Sequence, residues 1–205
     1  EIAYLYDHSQ GCYTWAHNLV TLHYSDDVTD YPLKFELWRP ADLDKIEAGL
    51  VAAEVKLKAS KQELKQSAPD KWRQYLLGVW RRHQKDPKVA ALYESKLRIA
   101  ERLVTQWMTL HPDLSLPVTF DSWYTEPGFC HYLDQQLHLA YVGSLQDDAK
   151  VQLKTGETTV LEFAKRLKTE QQQAMANQQP APFRPISIHY KGGKEHYFSY
   201  CATHR

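Results

Sequence analysis

Two short runs in the second half of the chain set the tightest limit on what it can fold into. Leu116-Pro117-Val118-Thr119-Phe120 reads as a short strand of the buried type, ending at Asp121. Leu139-Ala140-Tyr141-Val142-Gly143 is continuously apolar and bounded by polar sequence, the pattern of a second buried strand. Between them, Glu126 to Gln136 reads as a helix. A strand–helix–strand unit of this length implies a parallel pair, because a parallel neighbour needs a crossover connection. The chain is therefore expected to be α/β.

The rest of the chain divides into three blocks. Residues 1–40 read as strands: Ile2 to Tyr6, Tyr13 to Tyr24 and Leu33 to Trp38, rich in aromatic and β-branched residues. Turns at Ser9-Gln10-Gly11 and Ser25-Asp26-Asp27 make a three-stranded antiparallel meander the expectation. Residues 41–112 are helical. Leu43, Ile46, Leu50, Ala53, Leu57, Ser60 and Leu64 recur at spacings of three and four, which predicts one long helix with an apolar seam. Ala68-Pro69-Asp70 ends it. Trp72, Tyr75, Leu76, Val79 and Trp80 mark a second helix, and Asp86-Pro87 opens a third that keeps phase to about His111. Residues 113–205 carry the strand–helix–strand unit, an amphipathic helix from about Thr159 to Met175, and a hairpin closed by Gly192-Gly193. The 205 residues fit one well-buried core better than two independent domains.

Charge narrows the classes of partner. Lys plus Arg and Asp plus Glu both total 25, so no global field announces nucleic acid or membrane. The neutral total hides an asymmetry: residues 41–102 carry 14 basic against 9 acidic side chains, and residues 1–40 carry 2 against 6. Basic helices interleaved with Trp72, Trp80 and Trp107 fit either a phosphate-facing surface or a merely solvated one. No apolar run reaches the ~18 residues of a membrane helix, and nothing at the start reads as a signal peptide. A cytoplasmic protein is expected, and Glu1 and Arg205 read as the ends of a piece of something longer.

Strong local motifs are absent. Cys12, Cys130 and Cys201 are far apart and odd in number, which fits reduced thiols and neither a disulfide framework nor a zinc site. The ten histidines are scattered, and no HExxH, CxxC, P-loop or GxGxxG occurs. One residue stands out on position: Asp121, at the carboxyl end of a buried strand. In open α/β sheets ligands bind beyond the strand ends, so a carboxylate there meets a metal ion or substrate. A turn or N-cap aspartate is the plainer reading of the same position. Trp123 and Tyr124 beside it read either as core or as platforms on which a base stacks. Lys191 and Lys194, flanking the Gly192-Gly193 turn, read either as phosphate contacts or as solvated hairpin lysines.

The order of elements, meander then helical excursion then strand–Asp–helix–strand, resembles the ribonuclease-H-like fold. The wording is closer still. Tyr6-Asp7-His8, Trp15 to Leu22, Tyr31-Pro32-Leu33, Phe120-Asp121-Ser122-Trp123-Tyr124, Tyr141 to Leu145 and Lys150 to Lys154 resemble the DDE transposases of bacterial insertion sequences, with residues 41–112 the loosest part. That resemblance implies a ribonuclease-H-like mixed sheet with a helical insertion. It implies metal-dependent cleavage and transfer of double-stranded DNA by three carboxylates holding two Mg²⁺ or Mn²⁺ ions, in a nucleoid-associated protein acting as a homodimer. Asp121 then stands as the second carboxylate. The first would lie on an opening strand before residue 1 and the third, a Glu on a late helix, beyond Arg205. Asp7, Asp26, Asp27 and Asp30 lie at turns and make poor substitutes for the first. Glu162 and Glu170 lack the Tyr and Arg that accompany the third. With one triad residue of three, this polypeptide alone is expected to be inactive. The other readings are a nuclease of the same fold and a non-catalytic DNA-binding or interaction module built on the basic helices.

Overall fold

The structure, a computed structural model, describes residues 2–7, 10–153 and 155–177, with the backbone of 184–190 and 193–199. They group into two units, 1–111 and 112–205.

In the first unit, Ala3–Asp7 (β1) pairs antiparallel with Cys12–Ala16 (β2), and Asn18–Ser25 (β3) pairs antiparallel with Asp30–Trp38 (β4). The expected three-stranded meander is thus two separate hairpins. The run read as one strand from Tyr13 to Tyr24 changes partner at His17, its first half bonding β1 and its second half β4. Each half takes the neighbour that the nearest tight turn delivers. The second turn is held by Asp26, whose carboxylate accepts from the Val28 and Thr29 amides at 2.8 and 2.6 Å and from the Tyr24 hydroxyl at 2.8 Å. Those bonds hold the Asp26 carboxyl below its ordinary range, the Val28 amide contributing most. Tyr4, Tyr6, Tyr13 and Trp15 share one face of the first hairpin, where Tyr4 and Tyr13 stack at 5.4 Å.

Leu43–Ala52 (α1) starts at Asp42, whose side chain accepts from the Lys45 amide. The long helix expected from 43 to 64 ends at Ala52. Glu54 has φ 60°, its amide donates to Val51 O, and the Val55 amide reaches back to Leu50 O at 2.9 Å. This is a Schellman turn with glutamate where glycine is usual. It folds Val55, Leu57 and Leu64 back onto the core that an unbroken helix would have carried them past. A 3₁₀ turn at Ala59–Lys61 and a short helix, Leu64–Ser67 (α2), follow. Pro69–Arg82 (α3) then buries Trp72, Leu76, Val79 and Trp80. With Ile46, Leu50 and Val89 these make one cluster, each large side chain worth about 1.5–3 kcal/mol of burial.

The third predicted helix is also two. Pro87–Ala90 (α4) is capped by Asp86, Leu92 and Tyr93 leave the helix to pack on the same core, and Ser95 caps Lys96–Leu110 (α5). The buried face of α5, Ile99, Ala100, Leu103 and Val104, belongs to a helix that packs on β3 and β4. Arg102 there binds Glu36 of β4 and Glu94 at 3.0 Å each.

In the second unit, Val118–Phe120 (β5) and Tyr141–Gly143 (β6) form the expected parallel pair, Val118 opposite Tyr141 and Phe120 opposite Gly143, but they are not the buried strands expected, since Thr119 and Val142 are exposed. The connection is Pro127–His131 (α6) continued as a π-helical turn, Tyr132–Gln136. Lys150–Leu153 (β7) and Gly156–Thr159 (β8) form a hairpin, and Val160–Ala176 (α7) follows from a capping box between Thr159 and Glu162. Arg184–Tyr190 (β9) and Gly193–Ser199 (β10) complete a four-stranded sheet in the order β10-β9-β7-β8. The chain is mixed α and β as expected. Among the described residues, however, the strands make four separate sheets where the resemblance implies one mixed sheet.

Candidate functional site

Asp121 leaves the carboxyl end of β5 into a turn that its own side chain shapes. Its Oδ1 accepts from the Trp123 amide at 2.9 Å, an Asx turn, and its carbonyl accepts from the Tyr124 amide at 3.2 Å. The side chain is exposed, and Oδ2 has no hydrogen-bond partner among the described residues. One oxygen therefore builds the turn while the other remains for a cation or water. The two readings of this aspartate are compatible.

The turn rests on an aromatic base. Phe120 meets Phe129 edge-on at 5.3 Å and stacks near Tyr141 at 5.8 Å, and Tyr124 lies 6.2 Å from Phe129. Thr125, 4% exposed, ties the turn to the end of β6: its hydroxyl donates to the Ser144 carbonyl and lies 3.3 Å from the Asp121 carbonyl. Gly143 makes that approach possible, because a Cβ there would sit 2.4 Å from the Phe120 ring and 2.7 Å from Thr125 Oγ1. On the helix side, Glu126 accepts from the Gly128 amide at 2.8 Å and Pro127 occupies the first turn.

Trp123 is half exposed beside the carboxylate and crosses Tyr124 edge-on at 5.0 Å. Tyr124 is partly buried, and burial first and Asp121 second push its hydroxyl pKa up. Tyr124 is thus part of the aromatic base, and Trp123 is the more exposed ring of the two. Lys191 lies outside the described residues. Lys194 falls on β10 opposite His189, with its side chain outside the description.

Four of the other acidic candidates, Asp7, Asp26, Asp30 and Glu162, make local contacts. Asp26 holds its turn, Asp7 accepts from the Gln10 amide at 3.3 Å, and Asp30 stands 3.6 Å from His23. Glu162 closes the α7 capping box, and its bonds to the Thr159 amide and the Thr158 hydroxyl lower its pKa. Among the described residues, no three His, Cys, Asp or Glu side chains gather where a metal ion could sit. They do not by themselves build a two-ion site; Asp121 alone matches the position that the resemblance implies.

Thr125 and Gly143 went unnoticed in the sequence. Gly143 carries a faint signal as the end of an apolar run; Thr125 carries none, since its partner is set by the parallel pairing. A cavity of about 600 Å³ in the first unit, bordered by Glu36, Trp38, Arg39, Lys45, Tyr93 and Glu94, was also unforeseen. Its wall is closed internally, Trp38 Nε1 donating to the Tyr93 hydroxyl at 3.1 Å and Arg102 holding both glutamates. No helix of the described residues is long and apolar enough to cross a membrane. Compared with protein-family models, curated proteins and solved structures, the chain matches none.

Proposed function

We propose that the chain is part of a DDE-type DNA transposase, and that Asp121 is one of the carboxylates of its metal site. One observation supports the reading above the others. An exposed aspartate stands at the carboxyl end of a short strand, with one oxygen not used in its turn, and the helix after it leads to a parallel neighbour. The residues that resemble the family, Phe120 to Tyr124, are the ones that form this turn. Mg²⁺ or Mn²⁺, when bound, would supply the charge stabilisation of phosphoryl transfer; the chain's own part is to aim Asp121, with the half-exposed Trp123 beside it. The partner is double-stranded DNA, met by a homodimer.

A second reading has its own observation. Residues 41–102 carry 14 basic against 9 acidic side chains, which supports a non-catalytic DNA-binding or interaction module built on the basic helices. Asp121→Ala in the complete protein separates the two. Loss of strand cleavage with DNA binding retained supports the catalytic reading; unchanged cleavage removes Asp121 from the site and leaves the module.

A further inference from the structure

We infer that the outer face of α3, continued through the turn into α4, is a contact surface for the phosphate backbone of duplex DNA. Arg81, Arg82, Lys85 and Lys88 fall within eight residues against a single carboxylate, Asp86. All four are exposed, and none forms an ion pair with a described residue. Three other cations of this unit are paired: Lys65 holds Asp44 and Glu47, Arg98 holds Glu101, and Arg102 holds Glu36 and Glu94.

The cations stand on a firm base. Trp80, buried, donates from Nε1 to Val89 O at 3.0 Å and so locks the end of α3 to α4. The Asp86 carboxylate is taken up by the Lys88 amide at 2.8 Å, and the Asp86 amide donates to His83 O. Arg81 and Arg82 suit the negative end of a helix dipole and need no further explanation there. Lys88 lies in the single turn of the four-residue α4, so no dipole argument bears on it either way.

Gly78 is the independent observation. Lys71, Gln74, Gly78 and Arg81 recur along α3 on the side away from Trp72, Leu76 and Val79, a stripe roughly 15 Å long. Glycine inside a helix is the poorest choice short of proline, and it is normally retained for a positive φ or for close packing. Neither applies. Its backbone is helical, and a Cβ at Gly78 would meet only Arg82 Nη1, at an ordinary 3.7 Å. The missing side chain leaves room that nothing among the described residues uses, in the middle of a cationic stripe. A phosphate backbone laid along that stripe would use it. An anionic membrane fits less well, because the apolar side of α3 is buried in the core and none is left to insert.

The choice of DNA rests on the transposase reading; the surface does not. The test is fluorescence anisotropy of the 205-residue chain with a 30-base-pair duplex across a salt series, and with phosphatidylserine vesicles. Replacing Arg81, Arg82, Lys85 and Lys88 by Ala together is expected to weaken duplex binding at least about tenfold and to flatten the slope of log K against log salt by about 3 to 4. Gly78→Ala is expected to weaken binding while raising Tm by roughly 4 °C, an opposition that a purely structural glycine would not give. Unchanged affinity and slope in the fourfold variant would overturn the inference, as would a loss confined to the vesicles. If this face binds DNA while cleavage by the complete protein ignores Asp121→Asn, the surface stands and the transposase reading falls.

Discussion

Thr125→Val removes one hydroxyl and keeps the side chain's shape. The Thr125 hydroxyl is buried and serves the Ser144 carbonyl, with the Asp121 carbonyl 3.3 Å away. Valine fills the same space beside Gly143 but leaves the Ser144 carbonyl without its donor. Ser144 is exposed, so water takes up part of the lost bond and the cost is that of a net hydrogen bond, about 0.5–1.5 kcal/mol. At about 4–8 °C per kcal/mol for a unit of this size, the unfolding temperature of residues 112–205 should fall by about 4–8 °C for the middle of that range. Amide hydrogen exchange reads the unit separately, through Val118, which donates to Ala140 O, Tyr124, which donates to Asp121 O, and Ser144, which donates to Phe120 O. The three should lose protection together while α3 keeps its own. Unchanged protection at all three, with an unfolding temperature within a degree of wild type, would refute the claim that Thr125 ties the Asp121 turn to β6.

Three further outcomes follow from the geometry. Glu54→Gly should stabilise the first unit by about 0.5–1 kcal/mol in urea titration, since glycine adopts φ 60° without the strain a glutamate carries. The Asp26 carboxyl should titrate below its ordinary 3.8 by carbon NMR, and Tyr24→Phe should move it part of the way back. Because that folded pKa is lowered, the turn's contribution is present above about pH 4 and is lost as pH falls through the folded value; a midpoint at or above 3.8 would contradict the hydrogen bonding seen. Asp121→Asn should lower the Tyr124 pKa by the smaller share only, leaving the larger shift from burial, as read by ultraviolet titration of the phenol.

How much of this was legible depended on whether local pattern and tertiary contact agreed. The parallel pair β5–β6 could be read because two apolar runs flank a helix-length segment, and α7 because a Thr159-x-x-Glu162 box precedes its periodic residues. The break after α1 could not. Its apolar period runs on through Leu57 and Leu64, and the residue that takes the left-handed turn is Glu54, which carries no glycine signal. The gap between α4 and α5 was hidden in the same way, because Leu92 keeps helical phase while leaving the helix for the core. At the candidate site, Asp121 was visible from its place after a strand. Its support by Thr125 was not, since that bond exists only once β6 lies beside β5.

The central claim, that Asp121 is a metal-site carboxylate of a DNA transposase, is tested most directly by strand transfer. The complete protein is incubated with Mg²⁺ and a labelled duplex carrying the DNA that flanks its own gene, and the products are followed to single-nucleotide resolution. The reading predicts 3′-hydroxyl ends released and joined to target DNA, both steps vanishing in Asp121→Asn while the duplex remains bound. Cleavage and joining that persist in Asp121→Asn would contradict it, and Asp121 would stand as a turn residue only.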